Sequence, residues 1–158
     1  MASLPTDVTS EYDRLVMADD WESIQGLLAP LVQARDAEAL YLWSMSSRPG
    51  ESAELFTTRH VSLVSEAAES GYAPAQFTLG MYYLFGDRLP LDPERAAKNF
   101  LAASNQGYPA AQYEYGLALL HGVGVAVDAA EGMRLIRAAA AAGNESAREF
   151  TQGRSGDE

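Results

Sequence analysis

Apolar residues recur along most of the chain at the three-and-four spacing of helices that bury one face. In 71–106 the first stripe is Ala75, Leu79 and Tyr83, and the second is Ala96, Phe100 and Ala103. In 107–142 the second stripe is Gly132, Ile136 and Ala139. Starters and stops stand between the stripes. Gly86 ends a helix, Asp92 caps the next with Pro93 and Glu94 in its first turn, and Gly107 ends that one. Asp128 repeats the role of Asp92. Earlier, Val61, Val64, Ala67 and Ala68 predict a helix over Thr57–Ser70, capped by Thr57.

The stripes repeat with a fixed step. Aligned without a gap, 71–106 and 107–142 agree at 10 of 36 positions, among them Gly71/Gly107, Ala75/Ala111, Gln76/Gln112, Gly80/Gly116, Gly86/Gly122 and Asp92/Asp128. The same step of 36 links Ala39, Ala75, Ala111 and Ala147. It also links Gly50, Gly86 and Gly122, and Gly71, Gly107 and Gly143. Each 36-residue unit reads as two helices too short to bury their apolar faces alone, so the units should stack. Small-residue columns such as Ser44/Gly80/Gly116 let helices approach. The aromatic column Tyr41/Phe77/Tyr113 is expected in the core.

The ends leave the repeat. Trp21, Ile24, Leu28, Leu31 and Val32 predict a helix over Asp20–Ala34, capped by Asp20, which Pro30 should kink or split. Glu11–Ala18 predicts a shorter helix folded onto it, and Glu145–Gln152 begins a further first helix. The expected organisation is one domain: a flexible 1–10, capping helices in 11–34, a degenerate repeat in 35–70, repeats in 71–106 and 107–142, a capping helix in 143–152, and a disordered 153–158.

The order Ala75-Gln76, Leu79-Gly80, Tyr83, Gly86, Asp92, Ala103, Gly107, echoed by Ala111-Gln112, Tyr115-Gly116, Gly122, Asp128, Ala139 and Gly143, resembles the Sel-one-like repeat family, a relative of the tetratricopeptide repeat. The resemblance implies an all-α fold: a right-handed solenoid of antiparallel helix pairs with capping helices at both ends. It also implies non-catalytic binding of a protein or peptide. This chain departs from the pattern at Arg88, where the family has a second loop glycine, and at Ser44, where it has the helix glycine.

Composition narrows the function. There is no Cys, so no disulfide framework, thiolate metal site or Cys nucleophile. The formal net charge is −11, which argues against nucleic acid as a partner. No apolar run is long enough to span a membrane, and the N-terminus lacks a signal-peptide pattern, so a cytoplasmic protein is expected. The acidity is uneven: residues 1–70 hold 12 acids and 4 Arg, and residues 71–158 hold 10 acids and 7 bases.

No catalytic motif or metal-ligand pattern is legible. His60 lies on a second helix and His121 beside a loop glycine, both read as structural or surface positions. Asp92 and Asp128 are equivalent caps rather than paired acids. No cofactor or metal is expected. A solenoid places its ligand on positions that vary between units along the first helices. The candidate contacts are therefore Thr78, Tyr82, Glu114, Ala118 and His121, with Gln76 and Gln112 beside them. The acidic half adds Asp19, Asp20, Glu51 and Glu54 as candidates for attraction of a basic partner. The expected role is an adaptor or scaffold. The alternative is an immunity protein that neutralises a toxin effector, and the opposing class is a hydrolase. A homodimer through an apolar edge near Ala147 and Phe150 is also admitted.

Overall fold

The computed structural model describes residues 6–154. The ends of the expected flexible N-terminus (1–5) and of the expected disordered tail (155–158) lie outside the described residues. Every regular element among them is a helix, as the stripes predict: α1 (Thr6–Met17), α2 (Trp21–Gln33), α3 (Ala37–Met45), α4 (Ala53–Glu69), α5 (Ala73–Phe85), α6 (Pro93–Ser104), α7 (Pro109–His121), α8 (Ala129–Ala141) and α9 (Glu145–Arg154). The chain divides into two compact units, 1–75 and 76–158, with α5 starting in the first and running into the second.

In the first unit α1 and α2 pack Tyr12, Leu15, Ile24 and Leu28 against Ala39 and Trp43 of α3. Trp21 and Trp43 lie 5.3 Å apart, centroid to centroid. The Tyr12 hydroxyl donates to the Leu42 carbonyl (3.0 Å) and lies 3.1 Å from the Ser46 hydroxyl. A buried phenol thereby keeps its hydrogen bonds. Three side chains start helices by accepting backbone N–H bonds: Asp20 for α2, Asp36 for α3 and Ser52 for α4.

Three expectations change here. The first helix begins at Thr6, within the stretch 1–10 expected to be flexible, rather than at Glu11. Pro30 does not split its helix, which runs from Trp21 to Gln33 with the proline inside. Pro30 stands in the last turn on an exposed face, and the carbonyl its ring displaces belongs to Gly26, itself exposed. The helix expected over Thr57–Ser70 is α4, which begins at Ala53, not Thr57. Ser52 takes the capping role. Thr57 instead donates its hydroxyl to the Ala53 carbonyl one turn back (2.8 Å), the in-helix habit of threonine.

In the second unit Asp92 and Asp128 cap α6 and α8, each accepting at 3.0 Å from the backbone N–H three residues on. The loops before them close identically. Asp92 N–H donates to the Tyr83 carbonyl and Asp128 N–H to the Leu119 carbonyl, both at 2.9 Å. Gly86 and Gly122 hold φ of +67° and +70°, the left-handed geometry that makes glycine the natural stop. Gly124, also left-handed, brings its backbone so close to Pro93 that a Cβ there would overlap the Pro93 carbonyl. Arg88 occupies the equivalent place one repeat earlier, without a positive φ, and lays its guanidinium 5.5 Å from the Tyr82 ring centre.

The small columns do what small residues permit. Ala39, Ala75, Ala111 and Ala147 are all fully buried. Gly80 receives the Phe100 ring and Gly116 receives Ile136 and the Gly132 carbonyl. In the first unit the same two columns hold Ser44 and Val64, both buried, so a larger residue in one is matched by a smaller residue in the other. The aromatic column is half-buried rather than core. Tyr41 packs on Tyr72 (5.4 Å), Phe77 on Tyr108 (5.5 Å) and Tyr113 edge-on to Phe150 (6.3 Å).

Candidate functional site

In the second unit an apolar cleft of about 180 Å³ lies between α6 and α7. Each helix lines it with one stripe at i, i+3, i+4 and i+7: Pro93, Ala96, Ala97 and Phe100 from α6, and Glu114, Leu117, Ala118 and His121 from α7. Leu84 and Val123 close its end. Glu114 is the one acid on its wall. Its carboxyl is half-buried, and desolvation holds it above the usual carboxylate range. No described residue forms a hydrogen bond or ion pair with it.

The structure therefore brings together three of the sequence candidates, Glu114, Ala118 and His121. Thr78, Tyr82, Gln76 and Gln112 are not on the wall of this cleft. Thr78 and Tyr82 are half-buried on α5, the latter under Arg88. Gln76 accepts a hydrogen bond from the Gln106 amide (2.8 Å), a link between the second unit's first helix and the end of α6. Gln112 is half-buried on the first turn of α7. Leu84, Ala97, Phe100, Leu117 and Val123 were not among the candidates. Each looks like an ordinary packing residue until its neighbours are known.

The acidic candidates of the first unit divide sharply. Asp19 is exposed, with φ of +53°, in the turn before α2. It borders a second hollow of about 230 Å³ with Tyr12, Trp21 and Met45. Asp20 is spent on capping α2, and its hydrogen bonds from Ser23 lower its carboxyl. Glu54 is exposed in the first turn of α4. Glu51 faces inward. It accepts Arg59 Nε and Nη2, both at 2.8 Å, and the Arg48 N–H at 3.1 Å. Its side chain is only 8% exposed, and the arginine pulls its carboxyl down to about 2. Arg59 also donates to the Trp43 and Ser46 carbonyls, at 3.0 and 2.7 Å. The pair staples the 46–52 loop and leaves Glu51 little to offer a partner.

His60 is buried, with Nδ1 2.9 Å from the Ser44 carbonyl and its ring stacked on Phe56. Among the described residues no group of three His, Asp or Glu gathers as a metal site would need, and no helix is long and apolar enough to cross a membrane. The edge expected to stay open near Ala147 and Phe150 is filled from within: Ala147 is fully buried, and Phe150 packs on the Ile136 and Ala139 cluster.

Comparison with known proteins agrees with this construction. Residues 73–108 and 109–144 each match the Sel1 repeat family model. A crystal structure of a Sel1 repeat protein from Oxalobacter formigenes superposes with a TM-score of 0.73 at 29% identity, over 80% of this chain and 95% of that one. The protective antigen c5321 of uropathogenic Escherichia coli, which displays an SLR fold, gives a TM-score of 0.67 at 31% identity. That match covers 76% of this chain and 26% of the antigen. Cysteine-rich protein B of Helicobacter pylori shares the fold, with a TM-score of 0.60 at 14% identity over 89% of this chain and 94% of that one. No curated protein matches. Repeats of this class generally mediate protein–protein interaction and are typically non-catalytic scaffolds. The chain thus carries two consecutive Sel1 repeats, at 73–108 and 109–144, within an all-α solenoid fold.

Proposed function

We propose that this chain is a non-catalytic binding module whose protein partner presents a basic surface. One observation carries the reading. Three of the four arginines in the first unit are consumed internally: Arg14 by Glu11, Arg35 by Glu66 and Arg59 by Glu51. Asp13, Asp19, Glu22 and Glu54 are exposed and pair with no cation among the described residues. Such a surface attracts a basic partner, speeds its association and selects against acidic ones.

The test is capture from the native lysate on the immobilised protein, at low and at high salt. A Glu22→Lys/Glu54→Lys variant serves as comparison, since neither side chain caps a helix or fills the core. The reading expects basic proteins to be retained at low salt and lost from the variant. Retention of the same proteins regardless of salt and charge overturns it. The identity of the retained protein separates the two roles proposed for the module. A cellular component indicates an adaptor, and a toxin encoded by the adjacent gene indicates an immunity protein.

A further inference from the structure

The α6–α7 cleft exists because of two residues. One repeat further on, Met133 stands in the column of Ala97 and Phe150 in the column of Glu114. There both larger side chains pack against the Ile136 and Ala139 cluster, with Phe150 edge-on to Tyr113. At the earlier position alanine and glutamate leave a hollow of about 180 Å³. A dry cavity of roughly 150 Å³ is known to admit a benzene-sized group, so the space suits one long side chain.

Its wall chemistry is lopsided. Leu84, Ala97, Phe100 and Leu117 are apolar, and Glu114 contributes a half-buried carboxylate that no described residue pairs. A purely apolar occupant would bury that charge further without compensation, which costs free energy. An acidic occupant would add repulsion. A cation on an apolar stem satisfies both parts of the wall. We infer that the cleft is a socket for an arginine side chain of a partner protein. Its methylene stem lies along Leu84, Ala97, Phe100 and Leu117, and its guanidinium meets the Glu114 carboxylate. Arginine fits better than lysine because its planar fork matches a carboxylate and its charge is less strongly hydrated. The inference rests on the reading of a basic partner and locates one of its contacts.

The test is an NMR titration of the full chain with N-acetyl-arginine amide, its neutral isostere N-acetyl-citrulline amide, and N-acetyl-norleucine amide. The arginine probe should shift the amides around Ala97, Glu114 and Leu117. It should saturate at about tenfold lower concentration than citrulline, the difference expected of a charge-assisted hydrogen bond. Glu114→Gln should bring the arginine and citrulline curves together. Glu114→Phe, which copies the residue of the next repeat, should abolish binding of all three probes. Equal affinity for arginine and citrulline overturns the socket. So do shifts confined to Asp13, Asp19, Glu22 and Glu54, which would be general attraction only. The two readings fail separately. If Glu114→Phe captures lysate proteins as well as the unaltered chain while charge reversal abolishes capture, the socket falls and the basic-partner reading stands. If the arginine probe seats but capture ignores charge, the reverse holds.

Discussion

Phe100 lays its ring edge on the backbone of Gly80: a Cβ built on that glycine would stand 2.6 Å from Phe100 Cε1. Both residues are buried, and the contact joins α5 to α6. A Gly80→Ala substitution gains helix propensity, about 1 kcal/mol, but must displace a packed ring. Overpacking of this kind costs about 1–3 kcal/mol, so the net effect is a loss of stability in chemical denaturation. The first unit supplies the remedy, since it carries Ser44 and Val64 in these two columns. Phe100→Val alone should destabilise by leaving a cavity, whereas adding Gly80→Ser should recover part of the loss. A double-mutant cycle with no coupling energy would contradict the pairing.

Gly124 and Gly50 share a positive φ but not an environment. At Gly50 an added Cβ meets nothing within 4 Å, while at Gly124 it overlaps the Pro93 carbonyl and adjoining backbone. Gly50→Ala should therefore cost only the left-handed backbone penalty, about 1 kcal/mol. Gly124→Ala adds a clash that no side-chain rotation relieves and should cost several-fold more. Comparable denaturation midpoints for the two variants would refute the close loop-to-helix contact.

Arg35 occupies the column of Gly71, Gly107 and Gly143, and it holds the same left-handed conformation, with φ of +56° against +89°, +79° and +98°. The three glycines adopt it without strain, and the arginine does not. Arg35→Gly should raise stability by about 0.5–1 kcal/mol despite the greater freedom it gives the unfolded chain. Loss of the exposed pair with Glu66 subtracts little, because surface ion pairs contribute little. A fall in melting temperature would show that the pair matters more than the backbone.

Glu51 gives the first unit an acid-sensitive lock. Its carboxyl is held at about 2, against 4.5 when free, so the stabilisation is present above about 4.5 and lost as pH falls through about 2. Below that window both states are protonated and the pair contributes nothing. Arg59→Met should lower the melting temperature near neutral pH, and the gap from the unaltered protein should close on acidification. A gap independent of pH would mean that Arg59 acts through its carbonyl contacts alone.

The sequence carried the repeat step, the caps Asp92 and Asp128, and the buried alanine column, because each is a local demand repeated in register. It misplaced the start of α4, since Ser52 and Thr57 are both able caps and the choice depends on how the preceding loop is tied. That tie, Glu51 to Arg59, spans eight residues and leaves no periodic trace. The cleft was half legible. Glu114 follows Leu42 and Thr78 at steps of 36, a column that varies between units, but the informative comparison is with Phe150, on a helix read as a cap rather than as part of the column. A cavity is a difference in side-chain reach between packed elements, so it emerges only once the helices are docked.

The Arg59 staple holds its loop from outside. Ser46 is tied by its carbonyl and Glu51 by its carboxylate, while Ser47, Arg48, Pro49 and Gly50 between them are exposed. Arg48 N–H donates to the same carboxylate and Glu51 N–H to the Arg48 carbonyl, which closes 48–51 as a turn of its own. The ties therefore flank Ser47, and added length there need not loosen either helix. That makes 47–48 the natural insertion point for a reporter or an epitope, in contrast to the glycine-closed loops at 86–92 and 122–128, whose own backbones are the fastening.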